Sequence, residues 1–115
     1  MENKFVVKFL PEAQDFLDNL DEKPREKIYY NIRKSQILTD EELFKKLNPN
    51  IWEFRTLYSG KAYRLFSFWE PYEKSVVVAT HGIIKKTQKT PKKEIDKAEK
   101  IRTEYLKDKY GKNEK

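Results

Sequence analysis

Three runs of aromatic and β-branched residues follow one another at 51–58, 62–69 and 75–82, parted by the turn sequences Ser59-Gly60-Lys61 and Pro71-Tyr72-Glu73-Lys74. Such residues favour strands. Connections this short leave no room for the crossover that a parallel pair needs, so the neighbours must pair antiparallel. The rest of the chain has to pack on that meander.

Ahead of it, residues 4–9 read as a short strand ended by Leu10-Pro11. Pro11 opens a helix where its missing N–H goes unused, with Ala13, Phe16, Leu17 and Leu20 on one face. A second helix begins near Pro24, turns Ile28 and Ile32 inward and ends before Thr39. Thr39-Asp40-Glu41-Glu42 has the form of a capping box and predicts a short helix carrying Leu43, Phe44 and Leu47, stopped by Asn48-Pro49-Asn50. After the meander, Thr90 is an N-cap with Pro91 at the first helical position. Ile95, Ala98, Ile101 and Tyr105 then form the stripe of a last helix. The order predicts an α+β fold: a small, mostly antiparallel sheet with N-terminal helices packed on it and a C-terminal helix. A chain of 115 residues, 37% hydrophobic, has the means for one core. One domain is expected over residues 1–110, with 111–115 a flexible basic tail.

Charge is distributed one-sidedly. Residues 85–115 hold 12 Lys+Arg against 6 Asp+Glu and the first 84 hold 13 of each, so the formal net charge of +6 lies in the last quarter. Positions 85–93 carry five lysines and no acid, the electrostatic footprint of a nucleic-acid binder. The absence of cysteine excludes a disulfide framework, a thiolate nucleophile and a zinc finger, and fits a reducing cytosol. One histidine cannot supply the paired imidazoles of most catalytic zinc sites, and the carboxylates are scattered, so neither metal nor cofactor is expected. Residues 1–4 lack an apolar signal core and no run of 18 apolar residues occurs, so a cytoplasmic location without membrane contact is expected. Three glycines do not make a P-loop or a dinucleotide fingerprint. Glu41 and Glu42, at an expected helix start, are explained by dipole and capping.

Strand alternation puts Glu53, Arg55 and Leu57 on one face and Trp52, Phe54 and Tyr58 on the other. Arg64 lies among apolar neighbours, where a guanidinium is costly to bury without a partner. It is either paired with Glu53 or open to a ligand. If Arg55 and Arg64 look toward His81 and Lys85, the group suits a phosphodiester: guanidiniums fit phosphate oxygens bidentately and stabilise charge in a pentacoordinate transition state. RNA offers a reaction that needs no metal, because its own 2′-hydroxyl attacks the adjacent phosphorus. His81, with an ordinary pKa of about 6.5, suits proton transfer near neutrality. The plainer reading is a strand-end histidine bonded to backbone.

The succession Ile51-Trp52-Glu53-Phe54-Arg55, Tyr63-Arg64-Leu65-Phe66, Val76-Val77-Val78-Ala79-Thr80-His81-Gly82-Ile83-Ile84-Lys85-Lys86-Thr87-Gln88-Lys89-Thr90-Pro91, then Glu94-Ile95 and Ala98, resembles the HigB-like, phage-derived branch of the RelE/ParE toxin superfamily. The lysine-rich run ending in Thr90-Pro91 is its most specific part; the leading helices match only in length and position. The resemblance implies a RelE-like fold and a type II toxin that cuts mRNA in the ribosomal A site, restrained by a helix-turn-helix antitoxin encoded beside it. It implies that Arg55 and Arg64 bind and stabilise the phosphate, that His81 and Lys86 assist the chemistry, and that Lys85 and Lys89 grip RNA, with Lys92 and Lys93 extending the basic surface. Ile83 departs from the aromatic residue that often follows His-Gly in the family, which removes a base-stacking platform; Trp69 and Tyr72 are candidates to replace it. ParE-like relatives act on DNA gyrase instead, and a non-enzymatic basic binding module is the third reading.

Overall fold

The computed structural model describes residues 3–85 and 89–111. In chain order the elements are β1 (Val6–Phe9), α1 (Pro11–Asp18), α2 (Glu22–Ile37), β2 (Phe44–Lys46), β3 (Trp52–Tyr58), β4 (Lys61–Trp69), β5 (Val76–Lys85) and α3 (Lys92–Tyr110). The described strands form one sheet in the order β1-β5-β4-β3-β2, parallel only between β1 and β5. This is the expected α+β arrangement. At the β3–β4 turn Ser59 and Gly60 both take positive φ, 51° and 79°, the two-residue hairpin geometry whose twist matches the flanking strands.

Helices cover both faces of the sheet, which is why β4 reads as an apolar run rather than an alternation. On one side Phe54, Tyr63, Leu65, Val77 and Ala79 pack under Ala13 and Leu17 of α1 and Ile28 and Ile32 of α2. On the other, Ile51, Phe66, Phe68 and Val78 pack under Ala98 of α3, with Ile95 and Tyr105 alongside.

Residues 40–47 do not form the expected helix. Leu43 and Phe44 N–H both return to Asp40 O, closing a single turn, and Phe44–Lys46 then pairs with β3. The capping box fails because the Thr39 hydroxyl accepts from Lys4 Nζ, while the Glu42 N–H donates to Asp40 Oδ1 at 2.9 Å. Phe44 and Leu47 also belong to opposite cores, which one helix face cannot serve. Stacking of Phe44 on Phe54, centroids 4.4 Å apart, fixes the strand instead.

Several polar ties hold α3 down. Glu99 accepts from Asn48 Nδ2 at 3.1 Å and Asn50 Nδ2 at 3.2 Å. At its far end Glu70 accepts from Tyr110 and Tyr105 hydroxyls at 2.7 and 2.9 Å, from Lys109 Nζ at 3.1 Å and from Tyr72 N–H at 2.9 Å. Burial alone would push the Glu70 carboxyl up; these hydrogen bonds outweigh it and bring it down to about 2. A carboxyl depressed on folding contributes stability that is full above its unfolded pKa and lost as pH falls through about 2. Glu70→Gln should therefore remove on the order of 3 kcal/mol of acid-dependent stability, read as a flatter dependence of unfolding free energy on pH between about 5 and 2. An unchanged slope would show that Glu70 is not the group responsible. Gly111, at positive φ, closes α3 by donating its N–H to Lys107 O at 2.7 Å; the remainder of the expected tail, 112–115, lies outside the described residues.

Gly82 is required by a close approach. A Cβ there would lie 2.3 Å from Phe16 Cδ2 and 2.7 Å from its Cγ, so the ring from α1 rests on bare backbone. Gly82→Ala is expected to cost about 1–3 kcal/mol by overpacking, seen as a lower denaturant midpoint at unchanged slope. Combined with Phe16→Ala, most of that cost should vanish; an additive double variant would locate the strain elsewhere.

Candidate functional site

Register brings the predicted cations together. Arg55 stands opposite Arg64 and Glu53 opposite Phe66; across the next pair Arg64 faces Ile83, Ala62 faces Lys85 and Phe66 faces His81. Directly opposed residues share a face, so Glu53, Arg55, Leu57, Arg64, His81, Ile83 and Lys85 all lie on the α3 side. For β5 this depends on a bulge. Val78 and His81 are an odd step apart, which alternation would send to opposite faces, yet both are on the α3 side. The register slips between Phe66 and Ser67 and leaves Thr80 as the extra residue, its hydroxyl 3.3 Å from the Phe66 carbonyl. Such an insertion re-aims the strand that follows it.

Glu53 organises the group. It is 2% exposed, with Oε1 3.5 Å from Arg64 Nε and Oε2 3.5 Å from Arg55 Nε. Oε1 also accepts a 2.9 Å hydrogen bond from the Thr90 hydroxyl, and Thr90 Oγ1 accepts from Lys85 Nζ at 3.2 Å. Thr90 is therefore not the helix cap: the N-cap is Pro91 and α3 begins at Lys92, because that hydroxyl is committed to Glu53. Of the two readings for Arg64, the ion pair is present, and the residue also lines an open depression of about 330 Å³ with Glu42, Arg55, Thr56 and Leu57. Burial draws the Arg64 pKa down, Glu53 raises it, and Arg55 lowers it further. Burial, then Arg64, bring the Lys85 ammonium down to about 8, with Glu53 opposing and Arg55 adding to the fall.

His81 lies outside this depression. It is 1% exposed, stacked on Phe66 with centroids 4.8 Å apart. Its Nε2 is 3.1 Å from Glu94 Oε1 and its Nδ1 2.9 Å from the Thr80 hydroxyl. Burial lowers its pKa, which the Glu94 hydrogen bond partly offsets. The expected convergence of His81 with the two arginines is thus not formed; its ring ties the start of α3 to the sheet. Lys89, Lys92 and Lys93 are exposed, and Lys92 pairs with Asp96 at 3.1 Å, a surface contact of small worth. Lys86 lies outside the described residues. Trp69 packs edge-on against Phe5 and Trp52, and Tyr72 against Tyr110. Among the described residues no three His, Cys, Asp or Glu side chains converge as metal ligands would, and no helix is long and apolar enough to cross a membrane.

Sequence reasoning missed Thr90 as the link between Glu53 and Lys85, and Leu57, 62% exposed, as an apolar rim of the depression. The exposed leucine was visible in the alternation of 51–58; the Thr90 link, spanning 37 positions, had no local signal.

Fold and site together define a small α+β protein of the RelE-like kind, with arginines and a lysine gathered round one carboxylate on an open part of its sheet. Residues 15–103 match the family described as phage derived protein Gp49-like, and the chain belongs to that family, which is of the RelE/HigB toxin-like type. The matched stretch includes Glu53, Arg55, Arg64, His81, Lys85 and Thr90. No curated protein matches the chain.

Proposed function

We propose that the chain is the toxin of a type II toxin–antitoxin pair, a single toxin domain that cleaves mRNA on the ribosome, without a metal, through attack of the RNA's own 2′-hydroxyl. The observation that carries this reading is the Arg55–Arg64 row beside Lys85, three cations tied to the one carboxylate of Glu53. Two guanidiniums and an ammonium on one face attract an anion, and a phosphodiester fits them. Arg55, the more exposed guanidinium, meets the phosphate oxygens; Arg64 acts from the floor of the depression, where its charge is poorly screened. Neither has to be desolvated or turned when charge builds up on phosphorus, since Glu53 already fixes both. Lys86 adds a cation at the scissile phosphate, and Lys89, Lys92 and Lys93 hold the flanking RNA backbone. His81 serves by holding the start of α3 through Glu94, because both its ring nitrogens are engaged within the fold. Family membership supports an antitoxin partner, here a helix-turn-helix protein that covers the basic face.

The test is induction of the chain in cells without its antitoxin, with genome-wide mapping of new mRNA 5′ ends beside an Arg55→Ala control. New ends confined to translated codons and absent from the control are the expected result. Ends in untranslated RNA as well would indicate a free-standing nuclease. Growth arrest without new ends would point to a gyrase-type target, and neither effect to a plain binding module.

A further inference from the structure

We infer that Lys85 is the proton donor to the leaving group, oriented by Thr90, so that this lysine does chemistry rather than only holding RNA. The inference rests on the nuclease reading above. Lys85 is 9% exposed at the end of β5, opposite Ala62 and two pairs along from the Arg64–Ile83 pair, on the same face. Thr90 has one hydroxyl proton, and it is given to Glu53; the lone pairs of that oxygen are therefore what Lys85 Nζ meets. Through that hydroxyl a buried carboxylate on β3 sets the direction of an ammonium on β5. The same carboxylate is shared with Arg55 and Arg64, so the ammonium is both buried and close to two guanidiniums, and burial first and Arg64 next favour its giving up a proton against the pull of Glu53. Its value of about 8 agrees with this, and a donor poised near the working pH is the effective kind. The arginines do not release protons, and His81 is held beneath α3.

The O2′–P bond forms as the P–O5′ bond breaks; the 2′-hydroxyl proton passes to solvent water and a proton of Lys85 Nζ passes to O5′. The products are a 2′,3′-cyclic phosphate and a 5′-hydroxyl, and solvent reprotonates the amine. Thr90 is a positioning residue in this scheme, acting only through Lys85.

The test compares two RNAs, one natural and one with sulfur in place of the bridging 5′-oxygen at the bond most often cut, presented on ribosomes if the end mapping requires them. A thiolate leaves without a proton, so the modified RNA needs no acid. Lys85→Ala is expected to slow cleavage of natural RNA about 10²–10⁴-fold while cutting the sulfur-bridged RNA nearly as fast as wild type. Lys85→Arg, which keeps the charge but not the titratable proton, should show the same pattern and carries the test if the alanine variant does not fold. Thr90→Val should show it in weaker form. Equal losses on both RNAs would mean that Lys85 supplies charge alone, and the inference would be wrong although the nuclease stands. Failure of the wild-type protein to cut either RNA would remove the nuclease reading itself, and the inference with it.

Discussion

Arg55→Ala is expected to lower the rate of RNA cleavage about 10²–10³-fold, the loss found when one pre-positioned donor to a developing oxyanion is removed. Binding should change far less. Arg55 is one of several cations along the face, and each phosphate contact contributes a salt dependence of only about 0.7 in log–log slope for a single strand. Stability should change by about 1 kcal/mol or less, because the Arg55 side chain is 21% exposed and its partner Glu53 keeps Arg64 and Thr90. The three readouts together are diagnostic: kcat collapses, affinity and melting hold. Arg55→Lys should lie between wild type and alanine, retaining charge but not the planar fork. A binding module would behave otherwise. In it, Arg55→Ala would matter no more than Lys93→Ala, and both would act through affinity; that result would overturn the nuclease reading.

The largest effect on stability is expected at Glu53. Glu53→Ala leaves Arg64, 2% exposed, without the carboxylate beside it and next to a second guanidinium. Removing one member of a buried pair costs about 3–5 kcal/mol, enough to threaten a domain of this size. The cost should come from a buried guanidinium that has lost its carboxylate rather than from lost packing. Glu53→Leu with Arg64→Leu should therefore recover most of the stability lost by Glu53→Ala, while cleavage stays abolished. Chemical denaturation of the three variants with a cleavage assay on the double variant decides it. If the double variant is as unstable as the single one, the ion pair is not what holds this part of the sheet. Recovered stability together with recovered cleavage would remove Arg64 from the chemistry.

The meander and the two N-terminal helices were legible because local pattern and tertiary burial agree there. Ser59-Gly60 demands a tight turn, and Ala13, Leu17, Ile28 and Ile32 face the same core. Where the two conflict, the sequence misleads. Residues 39–42 carry a capping signal that is locally sound, but Lys4 takes the threonine oxygen and Phe44 finds Phe54 across the sheet. Thr90 repeats the lesson: a good cap by composition, it is drawn off by a carboxylate on another strand. The site was half legible. Alternation put Glu53 and Arg55 on one face and marked Arg64 as needing a partner. It could not separate His81 from Lys85, since both follow the same strand onto the same face, and only the position of α3 buries one within the core and leaves the other beside the arginines.

The extra residue at Thr80 carries a consequence for how relatives of this chain are compared. A variant lacking it would keep nearly the same composition, net charge and hydropathy. With strand pairing otherwise retained, Ala79 would still face Ser67 and His81 still face Phe66, and plain alternation would keep Val78, His81, Ile83 and Lys85 on the α3 side. An alignment gap of one position at 80 is thus compatible with the same site, whereas a chain that kept the residue and lost the bulge would turn its last strand over. Chains that differ in length by one at this point can therefore carry the same face of arginines and lysine, and equal length does not guarantee it.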